Sequence, residues 1–137
     1  MTTTTAADDK ETVREVLAEY CFRLDDGPFD EMAALFTEDG TWDTAFGSAT
    51  GRAAIAELAR SMRSGAPQPR PRGIHLVTNI AIRIEGSRAT VRSNWIVAQN
   101  SPEGPKIGSG GGYVDDMVKT DSGWRFRTRK IDRFIVP

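Results

Sequence analysis

His75 is the only histidine in the 137-residue chain. Imidazole is the one side chain whose unperturbed pKa, about 6.5, lets it carry a proton near neutrality. It lies in Ile74-His75-Leu76-Val77-Thr78-Asn79. In a strand, His75, Val77 and Asn79 would share one face, and Ile74, Leu76 and Thr78 the other. An acid that could orient the ring stands at the end of a helical repeat formed by Val13, Val16, Leu17, Tyr20 and Leu24. On a wheel of about 100° per residue, Asp25 falls roughly 100° from Leu24, at the margin of the apolar stripe. Asp26 falls about 200° away and is expected in solvent. An acid near a helix C-terminus faces the wrong end of the dipole, so a buried partner would help explain Asp25. Tyr20 belongs to the stripe itself, and its buried hydroxyl needs a hydrogen-bond partner. It sits about 140° from Asp25, so the two can reach one cavity only if that cavity opens across the helix end.

Other chemistries are excluded or weakened by residue type. Cys21 is the only cysteine, so an internal disulfide is impossible and a reducing cytoplasm fits best. One Cys and one His cannot build a Cys/His zinc site. Asp115 and Asp116 point to opposite faces of a strand, which argues against a hard metal ion. Gly108-Ser109-Gly110-Gly111-Gly112-Tyr113 runs into a strand rather than a helix, and no Lys-Ser or Lys-Thr follows. It therefore reads as close backbone packing or a bulge, not a phosphate loop. Eighteen basic and 19 acidic residues leave a net charge of -1, which calls for neither nucleic acid nor an anionic membrane. No apolar run approaches the ~20 residues of a membrane span.

The elements that must position these groups are legible. Met1 to Ala7 is Thr- and Ala-rich and reads as a loose tail without the features of a signal peptide, leaving one domain over residues 9–137. Asp8 and Glu11 have capping-box spacing, predicting a helix from about Asp9 to Gly27-Pro28. A second helix is expected over Phe29 to Phe36, a turn at Asp39-Gly40, a short strand at Thr41-Trp42-Asp43, and a third helix over Arg52 to Met62. Ser64 to Gly73 is a Pro- and Gly-rich loop. Ile74 to Ile84, Thr90 to Gln99, Ile107 to Lys119 and Trp124 to Ile135 alternate as strands, with turns between them. Helices followed by an antiparallel meander give an α+β fold. Long strands coil strongly, so a curved, cone-shaped antiparallel sheet closed by three helices should enclose a pocket.

This order of motifs resembles the nuclear transport factor 2-like superfamily, in its SnoaL-like, scytalone-dehydratase-like branch. The resemblance runs from about Lys10 to Phe134. It is carried by Tyr20 to Asp25, Phe29 to Phe36 with Asp39-Gly40-Thr41-Trp42, Gly51, Ile74 to Asn79, Gly110-Gly111-Gly112-Tyr113 and Gly123-Trp124-Arg125-Phe126. Tyr20, Asp25 and His75 are similar in spacing to the Tyr, Asp and His of bile acid 7α-dehydratase. Asp25, His75 and Arg129 match the dyad and arginine of hexachlorocyclohexane dehydrochlorinase, although Tyr20 stands where that enzyme has a lysine. The second histidine of scytalone dehydratase is missing, and Asn94 or Gln99 lies in the strand that would carry it.

The resemblance implies catalytic roles for Tyr20, Asp25, His75 and Arg129. Asp25 would fix the His75 tautomer, His75 would take a carbon-bound proton, Tyr20 would hydrogen-bond a carbonyl or protonate a departing hydroxyl, and Arg129 would stabilise the developing anion. It implies substrate contacts from Trp42, Phe46, Leu58, Met62, Asn94 and Trp95, no metal and no cofactor. The expected activity is a dehydratase-like lyase acting on an apolar or polycyclic small molecule, with an isomerase or cyclase as the neighbouring chemistry. A non-catalytic binding protein or dioxygenase-small-subunit-like module is the reading from another class. A cytoplasmic homodimer or higher homo-oligomer is expected, with no nucleic-acid or membrane partner.

Overall fold

The computed structural model describes residues 4–66 and 72–137. Residues 1–3 of the expected tail and 67–71 of the expected loop lie outside the described residues. Three helices, α1 (Ala6–Asp26), α2 (Phe29–Ala33) and α3 (Arg52–Ser64), pack on a six-stranded sheet. Its strands are β1 (Phe36–Thr44), β2 (Gly47–Thr50), β3 (Gly73–Glu85), β4 (Arg88–Gln99), β5 (Lys106–Thr120) and β6 (Gly123–Ile135), in the spatial order β2-β1-β6-β5-β4-β3. The α+β class and the four-strand meander are as expected. The sheet is mixed rather than purely antiparallel, because β1 runs parallel to β6, and it is not closed. No helix among the described residues is long and apolar enough to cross a membrane.

Helix α1 starts earlier than Asp9. Thr5 is the N-cap, and Asp8 completes the capping box by accepting from the Thr5 amide. Asp9 is instead buried, accepting from Trp124 Nε1 at 3.1 Å and Lys119 Nζ at 2.9 Å. The chain is therefore pinned to the sheet from Thr4 onward, where a loose tail was expected. Helix α2 stops at Ala33, short of Phe36, because the sheet captures the next residues. The Phe126 amide donates to Leu35 O at 2.9 Å, and the Phe36 ring packs on Phe126. Asp39-Gly40 is then not a turn but the irregular part of β1, where register to β6 shifts between Phe36 and Thr41. Strand β2 was not anticipated.

Two bulges decide which side chains face inward. In β3 the register to β4 shifts between Thr78 and Ala81, and Asn79 takes a φ of 54°. Asparagine tolerates that left-handed conformation better than most residues. Before the bulge His75 and Val77 face the core while Ile74 and Leu76 are exposed; after it Ile80, Ile82 and Ile84 face the core. The single apolar face expected from Ile74 to Ile84 is thus split in two. In β6 the register to β5 shifts between Phe126 and Thr128. Trp124 and Phe126 point inward before it, and Arg129 and Ile131 after it.

Candidate active site

The Asp25 carboxylate meets His75 twice. Oδ1 lies 2.6 Å from the ring Nδ1, and Oδ2 accepts from the His75 backbone amide at 2.9 Å. The side chains are only 7% and 18% exposed, respectively. Asp25 is held by its own surroundings. Gly27, at φ 71°, ends α1 with its amide donating to Arg23 O. Arg63 of α3 donates through Nη2 to the carbonyls of Leu24 and Asp25, each at 2.9 Å. A cation at that helix end also offsets the dipole that disfavours the acid. Burial alone would raise the Asp25 carboxyl, but the hydrogen bonds from the His75 ring and amide, with Arg72 nearby, outweigh it and hold its pKa below the usual value. Asp26 is exposed and paired with Arg72 at 2.6 Å, as its place on the wheel required.

His75 lines a cavity of about 340 Å³, shared with Tyr20, Trp42, Trp95, Tyr113 and Met62. That volume suits a small organic molecule. Nε2 of His75 has no protein partner among the described residues. Asp25 does not line this cavity; it stands behind the ring, beside a smaller hollow that His75 also borders. The convergence of Tyr20 and Asp25 thus runs through His75.

Tyr20 is fully buried, and its hydroxyl accepts from Trp42 Nε1 at 3.0 Å, leaving its own proton to donate. Burial raises the Tyr20 and Tyr113 phenols well above the usual value, with Arg129 partly opposing this. Both remain protonated donors. Trp95 forms the wall between His75 and Tyr113, with ring centroids 6.1 Å from one and 6.0 Å from the other. Its indole crosses β5 at Gly111, its register partner, and Nε1 donates to Asp132 O at 3.2 Å. A Cβ on Gly111 would lie 1.8 Å from that carbonyl oxygen, which is why the strand needs glycine there.

Arg129 is placed differently from the expectation. It is fully buried, does not line the cavity, and pairs with Asp115 through Nε at 2.9 Å and Nη2 at 3.4 Å. Its guanidinium carbon lies 3.5 Å from the Tyr113 ring centroid, 4.2 Å from Tyr20 and 4.6 Å from Phe126. Burial pushes the Asp115 carboxyl up to about 6, and the Arg129 guanidinium beside it opposes that rise. Arg129 can reach a substrate only by polarising the phenols in front of it. Asp116 is exposed, on the opposite face from Asp115.

Of the expected substrate contacts, Trp42, Phe46, Met62 and Trp95 line the cavity. Leu58 does not; it lines an adjoining apolar groove with Phe46 and Met62. Asn94 points to the outer side of the sheet, donating to Gly111 O and accepting from Asn79. Strand parity explains this: Trp95, Val97 and Gln99 share the inner face, so Gln99 rather than Asn94 reaches the cavity. Tyr113, Ser109 and Arg133 were missed, and Gln99 was named only as the alternative to Asn94. Parity from Trp95 could have found Gln99, whereas Arg133 depends on the β6 bulge. Burial pushes the Cys21 thiol up to about 11, leaving it unsuited to act as a nucleophile. No group of metal-ligating side chains occurs among the described residues.

A family model for the SnoaL-like domain matches residues 5–130. The chain belongs to the SnoaL-like domain family. The resemblance read from its motifs, within the nuclear transport factor 2-like superfamily, therefore holds. Solved structures support this. A function-unknown protein from Mycobacterium tuberculosis, solved as an aspartate-to-asparagine variant, is 29% identical, with a TM-score of 0.80 over 91% of this chain and 76% of that one. A protein from Catenulispora acidiphila in complex with S-DNPA is 25% identical, with a TM-score of 0.81 over 93% of this SnoaL-like chain and 94% of its own. A putative scytalone dehydratase from Novosphingobium aromaticivorans is 25% identical, with a TM-score of 0.77 over 94% and 86%. No protein of curated function matches.

Proposed function

We propose that this SnoaL-like protein is a cofactor-independent lyase of the dehydratase type. His75, oriented by Asp25, removes a proton from the carbon beside a carbonyl in an apolar small molecule. The observation that carries this reading is the two-point grip of Asp25 on His75. With Nδ1 committed to the carboxylate, the proton sits on Nδ1, and Nε2 is the free base of a residue lining the cavity. A base placed this way contributes roughly 10²–10⁴-fold.

Negative charge then develops on the carbonyl oxygen. Tyr20 and Tyr113 line the same cavity as neutral hydroxyl donors, and burial makes them poor acids, so they serve the oxyanion rather than the leaving group. Arg129 behind their rings strengthens them as donors. The electron pair of the broken C–H bond forms the new double bond as the β-hydroxyl departs. The imidazolium gives that hydroxyl its proton, water leaves, and His75 is neutral again. The likeness to a putative scytalone dehydratase supports this chemistry, and the S-DNPA complex of another relative supports small-molecule binding. Returning the proton to a different carbon instead gives an isomerisation, which the same residues would serve.

The test is exchange of the α-protons of 1-tetralone in D₂O, followed by NMR, then a panel of β-hydroxy ketones followed by mass spectrometry. The wild type should exchange the α-protons and release water from a panel member. His75→Ala, folded by circular dichroism, should do neither. Equal exchange by a folded His75→Ala would remove the general base.

A further inference from the structure

The cavity has two unlike walls. On one stand Leu24 of α1 and Met62 of α3. On the sheet side stand Gln99, Ser109 and Arg133, and none of these three side chains makes a hydrogen bond within the protein among the described residues. They are brought there by the backbone. Ser109 lies opposite Val97 in the β4–β5 register. The Gln99 carboxamide lies where a Cβ on Gly108 would stand, at 2.2 Å, so the glycine makes room for it. Arg133 follows Arg129 and Ile131 inward beyond the β6 bulge.

The two inward arginines differ in charge balance. Arg129 is neutralised by Asp115. Arg133 has no carboxylate partner among the described residues, and its guanidinium carbon lies 5.0 Å from the Phe46 ring centroid. A half-buried guanidinium over an aromatic ring, with no carboxylate partner among the described residues, is set up to receive a planar anion through two parallel hydrogen bonds.

We propose that Arg133 is a specificity residue that binds a carboxylate on the substrate, with Gln99 and Ser109 as neutral donors beside it. One cation and two uncharged groups match a monoanion, whereas a phosphate dianion would want more positive charge. Trp95 spans the wall from His75 to Asp132, the neighbour of Arg133. The carboxylate is therefore carried on the far side of a ring from the acidic carbon. This rests on the lyase reading in taking the same cavity as the substrate site, and it adds the substrate class: a cyclic, otherwise apolar carboxylic acid.

Calorimetric titration with 2-naphthoate, 2-naphthamide and 2-naphthyl phosphate tests it without turnover. Wild type should bind the naphthoate at least about tenfold tighter than the amide. Arg133→Met should abolish that preference while binding the amide as before, which also shows that the variant is folded. Arg133→Lys should keep part of the preference. Proton exchange is read separately from this titration, so a failure of the catalytic reading would be seen apart from a failure of carboxylate binding. The proposal is overturned by absence of naphthoate binding up to its solubility limit, by a preference that survives Arg133→Met, or by tighter binding of the phosphate.

Discussion

Replacing Asp25 with asparagine should invert the His75 tautomer, and the direction follows from a single hydrogen bond. The His75 backbone amide can only donate, and its acceptor is Asp25 Oδ2 at 2.9 Å. In Asp25→Asn the carboxamide oxygen must turn to that amide, since the alternative sets two donors against each other in a site where the side chain is 7% exposed. The carboxamide nitrogen then faces Nδ1 from the position now 2.6 Å away. Nδ1 becomes the acceptor, and the ring proton moves to Nε2. The nitrogen meant to act as base becomes a donor, and the rate should fall by ~10²–10⁴, with little change in affinity. Because His75 is the only histidine, a ¹⁵N-labelled sample shows one imidazole, and long-range ¹H–¹⁵N correlations identify which nitrogen is protonated. Wild type should show the proton on Nδ1 and the variant on Nε2. A variant that keeps the proton on Nδ1, or that loses no activity with it on Nε2, would refute the reasoning.

Further outcomes rest on the same contacts. The Asp25 carboxyl is held below its usual value, so its contribution to stability is present above about pH 4 and is lost as pH falls through the lowered value; urea midpoints should drop more steeply below about pH 4 for wild type than for Asp25→Asn. Arg129→Met leaves Asp115 buried and unpaired and should cost ~3–5 kcal/mol by denaturation, most of it regained in an Asp115→Leu, Arg129→Met double variant; a single variant with wild-type stability would assign Arg129 to the reaction instead. Gly111→Ala, with its Cβ driven onto Asp132 O, should lose about 3 kcal/mol or fail to accumulate as folded protein. The outer sheet face exposes Leu76, Val114 and Phe134, and a homodimer through it is proposed; light scattering at micromolar concentration should give twice the chain mass, and Val114→Arg should halve it.

What could be read from the sequence, and what could not, divides at the bulges. Tyr20, Asp25 and His75 lie on regular stretches, where a period of 3.6 or 2 gives each side chain a direction, and their placement comes from counting. Trp42 and Trp95 are placed in the same way, and the same counting, applied strictly, assigns Gln99 to the cavity and Asn94 to the outer face. Beyond an extra residue in a strand, parity reverses. Ile80 and Arg133 face the core only because β3 bulges at Asn79 and β6 bulges just after Phe126, and neither shift is visible as a change in residue type. Arg129 shows a further limit. The motif around it identifies an arginine near the site, but whether that charge meets a substrate or a carboxylate depends on Asp115 one strand away. Partner choice of that kind is tertiary. The same bulge that carries Arg129 into the core carries Arg133 to the cavity four residues later, so the neutralised cation and the one with no carboxylate partner among the described residues are two results of one backbone irregularity.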